Sequence, residues 1–144
     1  MNVVYDNSAL RFAYPDDWEL VETPSDDGLT ISLQSPGSMF IFVTLYDRQV
    51  PPQRLADEAL AAMREEYPDL DACPVSQTIA DWPAIGHDVN FFSLDLTNTC
   101  WIRAFVSGRR SVLVFAQTND LDLDGGDQFF RAICESMELE VSHE

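Results

Sequence analysis

Apolar and polar residues alternate with period two along most of the chain. Leu10, Phe12 and Tyr14 fall on one face and Arg11 and Ala13 on the other, and Pro15-Asp16-Asp17 closes this first predicted strand with a turn. Alternation resumes at Leu29, Ile31 and Leu33, with Thr30, Ser32 and Gln34 pointing away, and Ser35-Pro36-Gly37-Ser38 is a second turn. Phe40, Ile41, Phe42, Val43 and Leu45 then form a nearly continuous apolar run, which predicts a strand covered on both faces and a layer packed on each side of the sheet. Pro51-Pro52 breaks the sheet and starts a helix, since proline is tolerated in the first turn. Leu55, Ala56, Ala59, Leu60, Met63 and Tyr67 recur at helical spacing, charged residues fall largely opposite, and Pro68 ends the helix. Further strands are predicted over Val75–Ala80, Ile85–Leu96, Cys100–Val106 and Val112–Gln117, with turns at Asp81-Trp82-Pro83, Thr97-Asn98 and the glycine-first pair Gly108-Arg109. A second amphipathic helix from about Asp127 to Met137 would bury Phe129, Phe130, Ile133 and Met137.

Strands close in sequence pair most simply as antiparallel hairpins. The expectation is therefore an α+β fold: one antiparallel sheet of about six to eight strands with two main helices packed on it. No repeat, low-complexity tract or linker divides the chain, so residues 1–144 are expected to form one domain.

The segment Leu10-Arg-Phe-Ala-Tyr-Pro-Asp-Asp-Trp18 resembles the opening of the PsbP-like α/β/α sandwich superfamily, an apolar strand closed by Tyr-Pro, a polar pair and Trp. The helix after the first strands, the turn Asp81-Trp82-Pro83-Ala84 and the closing Phe130 to Ser136 segment fall in the matching order, so the resemblance spans nearly the whole chain. That superfamily includes a photosystem II extrinsic subunit, a Ran-GTPase-binding transport factor and bacterial effector chaperones. The resemblance implies accessory or binding work, and it carries no shared functional residue onto this sequence.

Charge narrows the partners. The net charge is −17, and all eight basic residues are arginine. Four arginines face fourteen acids in residues 1–72, and four face eleven in residues 73–144, so both halves are acidic. Nucleic acid and anionic membrane surfaces would be repelled, because binding them needs clustered cations. No apolar run approaches a membrane-spanning length. The first residues, Met-Asn-Val-Val-Tyr-Asp, resemble no export signal, and Cys73, Cys100 and Cys134 cannot all pair; a soluble cytoplasmic protein with buried free thiols is expected.

Chemistry-bearing residues are sparse. Asp120, Asp122, Asp124 and Gly125 occupy positions 1, 3, 5 and 6 of a calcium loop, but Arg131 stands where the bidentate Glu belongs. The plainer reading is a strand-to-helix connector in which Asp124 or Asp127 caps the helix. His87 precedes Asp88 on a strand, so the two side chains point to opposite faces and His87 reads as a surface or edge residue. His143 lies in the tail. Cys100 and Cys134 sit on apolar stripes where thiols are inert. Phosphate-loop and nucleophile-elbow motifs are absent, and no cofactor is expected.

What remains is a set of rings, Trp82, Phe91 and Phe92, placed where one or two should reach a surface. The expectation is a non-enzymatic, chaperone-like binding or adaptor protein whose acid-rimmed apolar surface holds a protein partner with a basic or apolar segment. The alternative is a metal-dependent or acid–base enzyme using Asp120, Asp122, Asp124 and His87, which requires those side chains in one cleft.

Overall fold

The computed structural model describes residues 1–7, 9–121 and 123–139, with the side chains of 123–125 outside that description. In chain order the elements are β1 (Asn2–Asp6), β2 (Leu10–Pro15), β3 (Glu19–Ser25), β4 (Gly28–Gln34), β5 (Phe40–Tyr46), α1 (Pro52–Glu66), β6 (Asp71–Ile79), β7 (Trp82–Ser93), β8 (Leu96–Ser107), β9 (Arg110–Asn119), α2 (Leu123–Glu135) and β10 (Glu138–Leu139). The class is α+β, as the hydrophobic pattern predicts. A seven-stranded antiparallel sheet runs in the order β3-β4-β5-β9-β8-β7-β6.

The single-sheet expectation is incomplete. The strand at Leu10 leaves the large sheet and joins β1 and β10 in a separate three-stranded sheet. Both β1 and β3 escape the period-two reading for the same reason. Among the described residues β1 buries Tyr5 alone, and β3 is exposed along most of its length, so neither needs an apolar face. The turn after β7 is Leu94-Asp95, and Thr97 and Asn98 lie inside β8. Helix α2 begins at Leu123, earlier than the pattern suggests.

Two cores lie on opposite faces of the large sheet, and alternation along β8 and β9 separates them. Trp101, Phe105, Val112, Val114 and Ala116 point toward α2 and the small sheet, where Phe130, Ile133, Leu10 and Phe12 complete the layer. Cys100, Ile102, Ala104, Leu113 and Phe115 point the other way, toward Leu55, Ala56, Leu60 and Met63 of α1. Ser111, fully buried, ties the layers: its Oγ accepts from Val50 N at 2.7 Å and donates to Arg48 O at 2.9 Å, fixing the entry to α1. Strands β7 and β8 approach closely at Gly86, where a Cβ would lie 1.7 Å from the Ile102 carbonyl oxygen.

Hairpins β6–β7 and β7–β8 turn through pairs of non-glycine residues that both have positive φ: Ala80 and Asp81 at 49° and 72°, Leu94 and Asp95 at 54° and 63°. These angles fit the two-residue hairpin turn that prefers Asn-Gly, and each left-handed non-glycine residue costs of order 1 kcal/mol. Leu94 is 92% exposed and gives up little packing when replaced. The double substitution Leu94→Asn and Asp95→Gly is expected to stabilise the protein by about 1 kcal/mol. It should be read as a higher urea midpoint with unchanged slope; an unchanged or lower midpoint contradicts the turn assignment.

Candidate functional site

One helix is too narrow to cover seven strands. Helix α1 lies over β7, β8 and the near part of β9. Among the described residues, the same face of β3, β4 and β5 has no helix over it. Registers across the sheet place Val21, Ser32, Phe42 and Phe115 in one row, and Thr23, Thr30, Thr44 and Leu113 in the next. The rings of Phe40, Phe42 and Phe115 shield one another, with centroids 5.1 to 6.3 Å apart. The continuous apolar run of β5 is therefore covered fully on one face: Ile41, Val43 and Leu45 are buried, while Phe42 remains 39% exposed.

Where this bare strip meets α1 there is a groove of about 550 Å³. Phe42, Leu113 and Phe115 form its floor, Ala59 and Met63 its helical wall, and Glu65 and Glu66 its acidic end. No arginine lines it. The arrangement offers an apolar strip for contact, thinly backed by small side chains on α1, with negative charge at one end.

Of the three rings, one or two of which were expected to reach a surface, Phe92 is the exposed one. Trp82 is half-buried and packs against the core on the α2 side. Phe91 is buried and stacks on Tyr67 with ring centroids 4.1 Å apart. Phe92 is 76% exposed and helps line a more polar groove of about 400 Å³ with Glu66, Asp69 and Asp71.

His87 is not a surface residue. It lies beneath α1, almost fully buried, with Nε2 3.0 Å from Asp57 Oδ1. The hydrogen bond from His87, followed by that from Gln53, holds the Asp57 carboxyl below its ordinary range. The carboxylate that orients the ring thus comes from the helix above, a partner the chain order does not reveal. Asp88 points to the opposite face and pairs with Arg103. Asp120 is exposed at the far end of β9, past the strand that pairs with Asn98, while His87 pairs with Ile102. Helix α2, which follows, packs on the other face of the sheet. Asp122 and the side chain of Asp124 lie outside the described residues. Among the described residues no three His, Cys, Asp or Glu side chains converge as a metal site. Asp127 stands inside α2, past its start at Leu123 rather than at the cap position, and pairs with Arg131 at 3.3 Å.

Arg103 is the charged residue that strand alternation hides. It sits between Trp101 and Phe105 on the α2 face and is almost fully buried. Its Nε donates to Gln77 Oε1 at 2.6 Å, Nη1 to the carbonyls of Ile102 and His87, and Nη2 to Asp88 Oδ1 at 2.7 Å. Strands β6, β7 and β8 are thereby clasped by one side chain.

No family model matches the sequence, and no curated protein matches it. Solved structures do match. The solution structure of cyanobacterial PsbP (CyanoP) from Synechocystis sp. PCC 6803 superposes with a TM-score of 0.70 at 11% identity, over 96% of this chain and 92% of that one. LpqN, involved in cell envelope biogenesis of Mycobacterium tuberculosis, gives 0.61 at 12% identity, over 96% and 89%. PA94, a Pseudomonas aeruginosa protein of unknown function, gives 0.58 at 11% identity, over 98% and 99%. The chain has the PsbP-like fold, as the Leu10–Trp18 segment implied, and at these identities the likeness is one of backbone architecture.

Two outcomes follow from the burial pattern. Burial raises both core thiols, Cys134 to about 12 and Cys100 beyond it, whereas Cys73 is exposed, against the expectation that all three are buried. A thiol reagent at pH 8 should therefore titrate one cysteine in the native protein and three in denaturant; rapid native reaction at Cys134 would contradict the packing of α2. Asp57, with its depressed folded value, contributes stability above the ordinary carboxylate value of 3.8, and loses that contribution as pH falls through its lowered value. Asp57→Asn should be less stable than wild type at pH 6, the difference vanishing in acid and staying small because solvent screens the pair. A pH-independent difference between the two urea midpoints counts against the His87–Asp57 bond.

Proposed function

We propose that the protein is a non-catalytic accessory protein that holds a protein partner on the uncovered strip of its large sheet, beside α1. The observation that carries this reading is the groove floored by Phe42, Leu113 and Phe115 and closed by Glu65 and Glu66. A soluble protein that leaves aromatic rings on an open sheet face gains nothing in stability from doing so, and such patches mark interaction sites. The rim and the net charge of −17 favour a segment that carries arginine or lysine beside its apolar residues.

Catalysis is poorly supported by the same geometry. General acid–base work by His87 needs a ring that substrate can reach. His87 is screened by α1 and lines neither the groove beside α1 nor the one beside α2. His87 lies opposite Ile102 in the middle of β8, whereas Asp120 lies past the end of β9, beyond Asn119, which pairs with Asn98. The exposed Cys73 as a free thiol suits a reducing compartment, in keeping with a cytoplasmic site of action. No described helix is long and apolar enough to cross a membrane.

Site-specific photo-crosslinking in the native host tests the reading. A crosslinker at position 42 is expected to yield a discrete adduct that weakens with rising salt, and one at Val4, exposed on the small sheet, to yield none. The absence of an adduct at 42, or equal adducts at both positions, overturns it.

A further inference from the structure

We propose that the groove between α2 and strands β6 to β8 is a binding site for a small organic carboxylate, independent of the partner surface on the other face. The groove holds about 410 Å³, within the range of small-molecule sites. Its wall is apolar, formed by Val75, Ile79 and the stacked rings of Trp101 and Phe130, whose centroids are 5.2 Å apart at 13°. At its base lies Arg103, its side chain 5% exposed, and Arg131 of α2 stands at the rim.

The buried guanidinium is the unusual feature. Burying a cation is costly, and an apolar side chain of similar volume often serves stability as well or better. Among the described residues the cation is paired with a single carboxylate, Asp88, whose side chain is 42% exposed, so the charge is sealed from one side only. A guanidinium has five N–H donors. Four are engaged, by Gln77, the two carbonyls and Asp88, and the second Nη2 hydrogen has no partner among the described residues. Phe130 lies against the guanidinium face, with Cζ 5.6 Å from the ring centroid. An arginine held this firmly presents its remaining donor with little entropy left to lose, which is what recognition of a planar acceptor requires.

Charge selects the ligand class. The grooves beside α1 and below Phe92 are lined by acids and no arginine, so anions are excluded there. The α2 groove is the one of the three that holds arginine: two of the eight, against the three acids Asp88, Asp127 and Glu135, with Arg103 paired to Asp88 and Arg131 to Asp127. A dianionic phosphate would meet three carboxylates, whereas a single carboxylate on an aromatic or branched aliphatic body brings one charge to the free Arg103 donor and covers the apolar wall, with the exposed Arg131 exchanging from its surface pair with Asp127 to the ligand.

The test uses the full chain with ¹⁵N-labelled tryptophan, titrated with benzoate, phenylacetate and 4-methylpentanoate, their amides, and phenylphosphonate. Carboxylates should shift the Trp101 indole signal and bind about tenfold more tightly than the amides, the loss expected when a charged acceptor is replaced by a neutral one. Val75→Trp, which fills the groove from the edge strand, should abolish binding. Arg131→Glu should weaken it severalfold in a protein whose fold does not depend on that exposed side chain. Phe42→Glu should leave it unchanged, which separates this site from the partner surface. Failure of every carboxylate to shift Trp101, equal binding of the amides, tighter binding of the phosphonate, or indifference to Val75→Trp each overturns the proposal.

Discussion

A seven-stranded sheet is about 29 Å across at the usual strand spacing, and a helix with its side chains covers about 10 Å. That mismatch governs this protein. The α2 face is closed by a helix together with a second, three-stranded sheet, and its core runs continuously from Ile31 to Ile133. On the opposite face α1 has nothing comparable beside it among the described residues, so β7 and β8 are sealed while β3, β4 and β5 are left to cover themselves. Threonines and mutually shielding phenylalanines do part of that work: the Thr30 and Thr44 hydroxyls bond each other at 3.2 Å, and Phe40, Phe42 and Phe115 pack ring against ring. The rest of the strip stays open, and the proposed binding role rests on that openness.

The elements that a period could reveal were those whose burial depends on one face. Leu29-Ile31-Leu33 and the α1 stripe from Leu55 to Met63 read correctly because each buries a regular row. The strands β1 and β3 did not, because edge strands bury little and carry no alternating demand. The β5 run shows the reverse failure. Five apolar residues in six positions look doubly covered, yet Phe42 faces an open strip, and continuous hydrophobicity cannot distinguish a face covered by a helix from one left open.

Site residues were harder to read than strands because their partners come from other elements. Sequence order pairs His87 with Asp88, while the fold pairs His87 with Asp57 from α1 and Asp88 with Arg103 from β8. A signal for Arg103 was present: it alternates in phase with Trp101 and Phe105, and a charge between two large rings on a covered face must be buried and satisfied. The acidic surplus was legible as a whole, but which acids frame an apolar surface depends on where α1 ends, at Glu65 and Glu66.

Residue-level radical footprinting of the free protein and of the complex isolated from native cells tests the central claim most directly. Phe42 and Phe115 should label strongly in the free protein and lose that labelling in the complex, with Val4 and Leu94 labelled equally in both. Protection confined to the small sheet or to Phe92, with Phe42 unchanged, would contradict it.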